Sequence, residues 1–124
     1  MIKKAIHQIR DRSLPKEIQE RIPEKWSGNS FIPPGWRNLV RMLNKELAEV
    51  APNYELHQVK SKFGTLRYYI DLDFVEGDET QDKVYEIIDK YEQLSAHTCE
   101  VCGQNAKTGA NTFLVYTRCD KHKE

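Results

Sequence analysis

The sequence has no apolar run approaching the roughly 20 residues of a membrane-spanning helix, so no stretch of it is expected to cross a membrane. It has no net charge, with 19 Lys and Arg against 19 Asp and Glu. A chain without a whole-molecule field lacks the long-range attraction of a generic polyanion binder. It has only three cysteines. An odd count fits a disulfide framework poorly and a reducing compartment well. No internal repeat and no low-complexity segment is present. Residues 1–10 break their apolar side chains with charge at once, unlike a secretory signal. These absences point to a cytoplasmic protein.

What is present suits a folded chain. Hydrophobic residues make up 39% and include two Trp, six Tyr and four Phe. At 124 residues the expectation is one domain, or one domain with a small metal-stapled lobe. Charge is unevenly spread. Residues 71–100 carry ten acids against two lysines, whereas residues 37–67 carry six basic groups against three acids.

The most specific motif lies in the last quarter: Cys99-Glu100-Val101-Cys102, then Cys119-Asp120-Lys121-His122. Each pair holds two residues between its members, and sixteen residues separate the pairs. A two-residue gap lets both side chains of a turn point at one ion. The intervening segment is long enough to return as a hairpin. Three thiolates and an imidazole make a closed tetrahedral set suited to structural zinc, with Cys99, Cys102, Cys119 and His122 as ligands. Four protein ligands leave no open position for catalysis. A nucleic-acid deaminase would need His-x-Glu and Pro-Cys-x-x-Cys segments. His57 is followed by Gln58-Val59 and His97 by Thr98-Cys99. A nuclease of the His-Asn-His kind would place a histidine between the ligand pairs, and residues 103–118 contain none. No Ser/His/Asp grouping, phosphate loop or carboxylate pair stands out, so no catalytic or cofactor-binding residue is assigned.

Upstream, Ile2, Ile6 and Ile9 recur at helical spacing, so residues 2–12 read as a short amphipathic helix. Ser13 is placed to cap a turn over Pro15–Arg21. Residues 23–35 read as a loop, with Trp26 and Phe31 expected to pin it to the body. Trp36, Leu39, Val40, Leu43, Leu47 and Val50 form one helical stripe over 35–50. Two strands follow, Tyr54–Ser61 and Leu66–Leu72, as an antiparallel hairpin around Gly64. Leu66, Tyr68, Ile70 and Leu72 should face the core. Leu56 and Val59 have opposite parity, which predicts a bulge near His57-Gln58. Asp78 and Gln81 suggest a capping box for a helix burying Val84, Ile87, Ile88, Tyr91 and Leu94 and running to about His97. Its acidic outer face reads as solvated. The end of the chain should hold a turn region over Gly103–Gly109 and a β-prone run over Thr112–Tyr116.

The hairpin tip is the second candidate site. Lys60, Lys62 and Arg67 stand beside Phe63 and Tyr69, and a glycine permits close backbone approach. Phe63 in a partner pocket would anchor a complex and the basic groups would orient it. Charge with stacking also suits a nucleotide or nucleic-acid strand.

Taken together, Gly35-Trp36-x-x-Leu39-Val40, Gln58-Val59-Lys60-x-Lys62-Phe63-Gly64-Thr65-Leu66-Arg67-x-Tyr69, Cys99-Glu100-x-Cys102-Gly103 and Cys119-Asp120-x-His122 resemble a family of small uncharacterised proteins. Bacteria, their phages and prophages carry them. The resemblance covers roughly residues 35–122. That family commonly has Glu where Ser61 stands and Phe where Tyr68 stands. The resemblance implies a bacterial, cytoplasmic, mobile-element setting and supplies no mechanism.

The expected fold is α+β: helices packed on a small antiparallel sheet, with a C-terminal zinc-knuckle hairpin lobe like a zinc ribbon or treble clef. The expected parts are an extension over 1–34, an α+β core over 35–98 and a zinc lobe over 99–124. The expected function is non-enzymatic binding of a bacterial host or defence protein through Lys60, Lys62, Phe63, Arg67 and Tyr69. The alternative is a nucleic-acid- or nucleotide-binding module using the same hairpin.

Overall fold

The computed structural model describes residues 13–110 and 115–122. The expected helix over 2–12 lies outside the described residues, as do Thr112, Phe113 and Leu114 of the β-prone run. The fold is α+β, with helices and two small antiparallel sheets. Its main elements are α1 (Lys16–Gln19), α2 (Arg37–Val50), β1 (Glu55–Lys62), β2 (Thr65–Asp71), α3 (Asp78–Ser95), β3 (Lys107–Ala110) and β4 (Val115–Arg118). Strands β1 and β2 form one hairpin, and β3 and β4 the other. No helix among the described residues is long and apolar enough to cross a membrane.

The stripe on α2 is the centre of the core. Trp36, Val40, Leu43 and Leu47 are fully buried, Leu39 nearly so. Pro34–Trp36 forms a 3-10 turn that leads into the helix, where proline costs no hydrogen bond. Leu56, Val59, Leu66 and Tyr68 from the first hairpin, with Val84, Ile88 and Tyr91 from α3, complete that core. The ladder slips between Leu56 and Gln58. This bulge puts both Leu56 and Val59 on the buried face despite their opposite parity.

Several local expectations need correction. Pro15, not Ser13, stands before α1, which makes only one turn. The Arg37 guanidinium instead donates to the Ser13 hydroxyl at 3.1 Å. The Asp78–Gln81 capping box does not form: Gly77, at φ +87°, precedes α3, and Gln81 Nε2 donates to Val75 O at 3.1 Å. The buried stripe of α3 runs Val84, Ile88, Tyr91, Ser95. Leu94 falls about 100° off that line and is 43% exposed, while the fully buried position goes to Ser95. Helix α3 ends at Ser95 rather than His97, and the turn region over 103–109 yields its second half to β3. Trp26 and Phe31 are partly exposed, 38% and 46%, rather than core residues, and Trp26 holds the 23–35 loop to β1 by stacking on His57. The fully buried Ile32 carries the same loop into the main core.

Hydrogen bonds close parts of both long edges of the first hairpin. On the β2 side, Leu66 N donates to Ser95 Oγ at 2.8 Å and Tyr68 N to Glu92 Oε2 at 3.0 Å. On the β1 side, Val59 N donates to Ser30 Oγ at 2.9 Å and Leu56 N to Arg21 O at 2.9 Å. Side chains and loop backbone thus occupy groups that would otherwise pair with another strand.

Candidate metal centre and recognition hairpin

The two ligand pairs reach one point from different directions. Cys99 and Cys102 sit on a turn after α3, closed by Gly103 N donating to Cys99 O at 2.9 Å and Cys99 N to Gln104 O at 2.8 Å. Gly103 takes φ +81°, which glycine tolerates without strain. Cys119 and His122 sit on a second turn after β4, closed by His122 N donating to Cys119 O at 2.9 Å. The donor atoms of Cys99, Cys102, Cys119 and His122 all lie within 4.8 Å of one another. Cys102 Sγ is 3.6 Å from Cys119 Sγ, far outside a disulfide bond. His122 Nδ1 is 3.6 Å from Cys99 Sγ and 3.2 Å from Cys119 Sγ. A tetrahedral ion with metal–sulfur bonds of about 2.3 Å and metal–nitrogen bonds of about 2.0–2.1 Å calls for edges of about 3.8 and 3.6 Å. The four residues fit a metal ion on geometry and on donor chemistry.

The electrostatics show what an ion would have to settle. Burial works against the Cys99 thiolate, but the Cys119, Cys102 and Val101 amides outweigh it and bring its thiol below the ordinary value. Val101 N stands 3.4 Å from Cys99 Sγ. Desolvation pushes Cys102 up to about 11 despite the Gln104 amide, and the neighbouring thiols add to the effect. A coordinated cation holds such thiols deprotonated at neutral pH. The groove beside the cluster, about 500 Å³, is lined by Arg37, Asn38, Arg41, Met42 and Cys102 among others, without an acid or a histidine.

Among the described residues of the lobe, Cys99, Val101, Ala106 and Cys119 form the buried apolar cluster, and two of these four are metal-ligand candidates. Hydrogen bonds tie the lobe and the segment leading into it to the body. Trp36 Nε1 donates to Thr98 O at 2.8 Å, and Gly35 N donates to Glu100 O at 2.8 Å. A Cβ at Gly35 would collide with the backbone of Cys99 and Glu100. Thr117 Oγ1 donates to Gly64 O at 2.6 Å. A Cβ at Gly64 would lie 3.1 Å from the Tyr116 backbone carbon. Within the lobe Glu100, only 9% exposed, accepts a hydrogen bond from Thr117 N through its carboxylate. Glu100 N in turn donates to Thr117 O at 2.9 Å. Four separated sequence motifs therefore meet at one junction.

The hairpin residues divide by position. Phe63 is 67% exposed at the tip, and both central residues of the two-residue loop have positive φ, +54° at Phe63 and +79° at Gly64. Lys60 and Arg67 stand directly opposite each other across the ladder, and Lys62 opposite Thr65. Tyr69 is 42% exposed, with Lys60 Nζ 5.9 Å from its ring centroid. Arg67 is less free than the sequence suggested. It is half-buried, lines a groove with Glu92 and His97 of the α3 region, and its buried Nε has no hydrogen-bond partner among the described residues. The structure adds Trp26, which stacks on His57 at 4.7 Å between ring centroids, while His57 Nε2 lies 3.3 Å from Asp71 Oδ2. Glu100, Ser95 and Thr117 are bracing residues that no local pattern in the sequence marks, because each acts across a long separation in the chain. Comparison with protein-family models, curated proteins and solved structures gives no match.

Proposed function

We propose that the protein is a zinc-stabilised, non-enzymatic binding protein that engages a bacterial protein through its β1–β2 hairpin. Zinc is the metal favoured by three sulfurs and one imidazole at tetrahedral spacing. With all four positions supplied by the chain, the ion is a staple, and residues 99–124 form a zinc-ribbon or treble-clef-like lobe on the 35–98 core. Leu14, Ile18 and Ile32 of the preceding segment pack into that core.

The observation that carries the binding reading is Phe63. A bulky side chain at φ +54° is unfavourable, and this one is 67% exposed, so it has little burial to offset the strain. Such a residue suits an anchor displayed for a partner pocket. Lys60 and Lys62 flank it and set orientation towards an acidic rim, with Arg67 and Tyr69 further along the face. Family resemblance supports the setting: bacterial cytoplasm, a mobile element, and a host or defence protein as target.

The test is capture of a defined host protein by the zinc-loaded chain, with Phe63→Ala and Lys62→Glu as controls. Phe63→Ala should abolish capture and keep the thermal midpoint within a few degrees. Capture that survives Phe63→Ala sinks the reading. A second reading, nucleic-acid binding, is favoured by the opposed Lys60–Arg67 pair beside exposed Tyr69. Retained nucleic acid whose affinity falls steeply with salt would put it first.

A further inference from the structure

We infer that Thr117 is a positioning residue for the recognition turn, so that metal occupancy of the lobe controls the display of Phe63; this rests on the hairpin being the contact surface. A short physical chain joins the two. Cys99 is followed by Glu100, whose carboxylate accepts from Thr117 N and whose N–H donates to Thr117 O. Thr117 is fully buried, precedes Cys119 by two residues, and its hydroxyl donates to Gly64 O at 2.6 Å. Gly64 adjoins Phe63. The fit is close as well as bonded: a Cβ at Gly64 would also lie 3.3 Å from both Thr108 Cγ2 and Thr117 Oγ1. Thr108 in turn donates to Ala96 O at 3.1 Å, which fixes β3 to the end of α3. A disfavoured φ at Phe63 persists only where the surroundings over-determine it. Here those surroundings are the lobe, whose buried apolar cluster among the described residues is Val101 and Ala106 beside two candidate ligands. Loss of the ion loosens Glu100 and Thr117, frees the Gly64 carbonyl, and lets Phe63 leave positive φ. Coupling of this kind is reciprocal, so a change at the turn must also change metal affinity.

The experiment is hydrogen–deuterium exchange of the peptide covering residues 61–68 in the full chain. It is run with zinc, with chelator, and in Thr117→Val, alongside zinc affinity by chelator competition. Chelation should remove protection from both this peptide and residues 99–122. Thr117→Val should keep one zinc per chain, speed exchange of the tip peptide about fivefold, as expected for one lost hydrogen bond, and weaken zinc binding by a similar factor. Thr117→Ser should behave as wild type. Gly64→Ala leaves every lobe residue in place and should also weaken zinc binding. It therefore decides the matter if Thr117→Val does not fold. Tip protection that survives chelation overturns the inference, as does unchanged zinc affinity in Gly64→Ala. No partner is present in these measurements, so they fail or succeed independently of capture through Phe63.

Discussion

At the scale of single residues, Phe63 and Ser95 represent opposite uses of a side chain. Phe63 stands at a turn position that Asn fills with less strain, because Asn tolerates the left-handed region and Asn-Gly suits two-residue hairpins. Replacing it removes little burial, since 67% of the residue is exposed. Phe63→Asn should therefore raise stability by about 1 kcal/mol, seen as a thermal midpoint higher by a few degrees, while partner capture is lost. A lower midpoint would mean that Phe63 contributes packing. Ser95 is fully buried, and its hydroxyl accepts from Leu66 N while donating to Glu92 O. Ser95→Ala strands a buried backbone N–H and should cost about 1–3 kcal/mol in denaturant unfolding. Tyr54 and Tyr68 share a third arrangement. Tyr54 Oη donates to Asn44 Oδ1 at 2.5 Å, so its single proton is used, and Tyr68 must donate across the 2.6 Å contact between the two hydroxyls. Burial pushes Tyr54 up to about 12 and Tyr68 well above its ordinary value. Both folded-state values exceed the unfolded ones. Their contribution to stability is whole below pH about 10 and is lost as pH rises through the window above it. Burial and its hydrogen bond to the Glu46 carboxylate push Tyr91 up to about 12 as well, so phenolate absorbance should show three tyrosines that ionise late; a single titration near pH 10 for all six tyrosines would contradict this burial.

At the scale of elements, the first hairpin is built to be held from several sides. Ser95 and Glu92 occupy one edge, and Arg21 and Ser30 the other. Its Gly64 end rests on the second hairpin. The sequence reported these elements unevenly. The α2 stripe was legible because the period of a helix and the burial of its residues coincide. The bulge was legible because Leu56 and Val59 cannot both be buried in an unbroken ladder. The metal ligands were legible from local spacing. What stayed hidden was everything that depends on two distant segments meeting: Gly35 against Glu100, Gly64 against Thr117, Leu66 against Ser95. Glycines and small hydroxyl residues carry no periodicity, and a buried Glu between two cysteines reads as a solvated charge until its partner is known. Gly35→Ala should be among the most damaging single changes, because its Cβ would overlap rigid backbone. Loss of zinc binding together with loss of folded protein is the expected result, and a variant of normal stability and zinc content would contradict the junction described above.

At the scale of the whole molecule, the Cys3His cluster makes a metal ion the expected staple of the C-terminal lobe. Among the described residues of the lobe, Val101 and Ala106 are the buried apolar side chains beside two candidate ligands. Structural zinc supplies about 10–16 kcal/mol in small zinc-binding peptides, comparable with the net stability of many whole domains. The charge distribution follows the same division: the acids concentrate over residues 71–100, while the displayed hairpin carries Lys60, Lys62 and Arg67. The direct measurement is the zinc-to-chain ratio of the purified protein by native mass spectrometry, repeated after chelation with the thermal midpoint followed in parallel. One zinc per chain, lost together with a large fall in the midpoint and loss of protection over residues 99–122, is the predicted result. A chain isolated without metal, with the same midpoint and the same protection, would contradict the account.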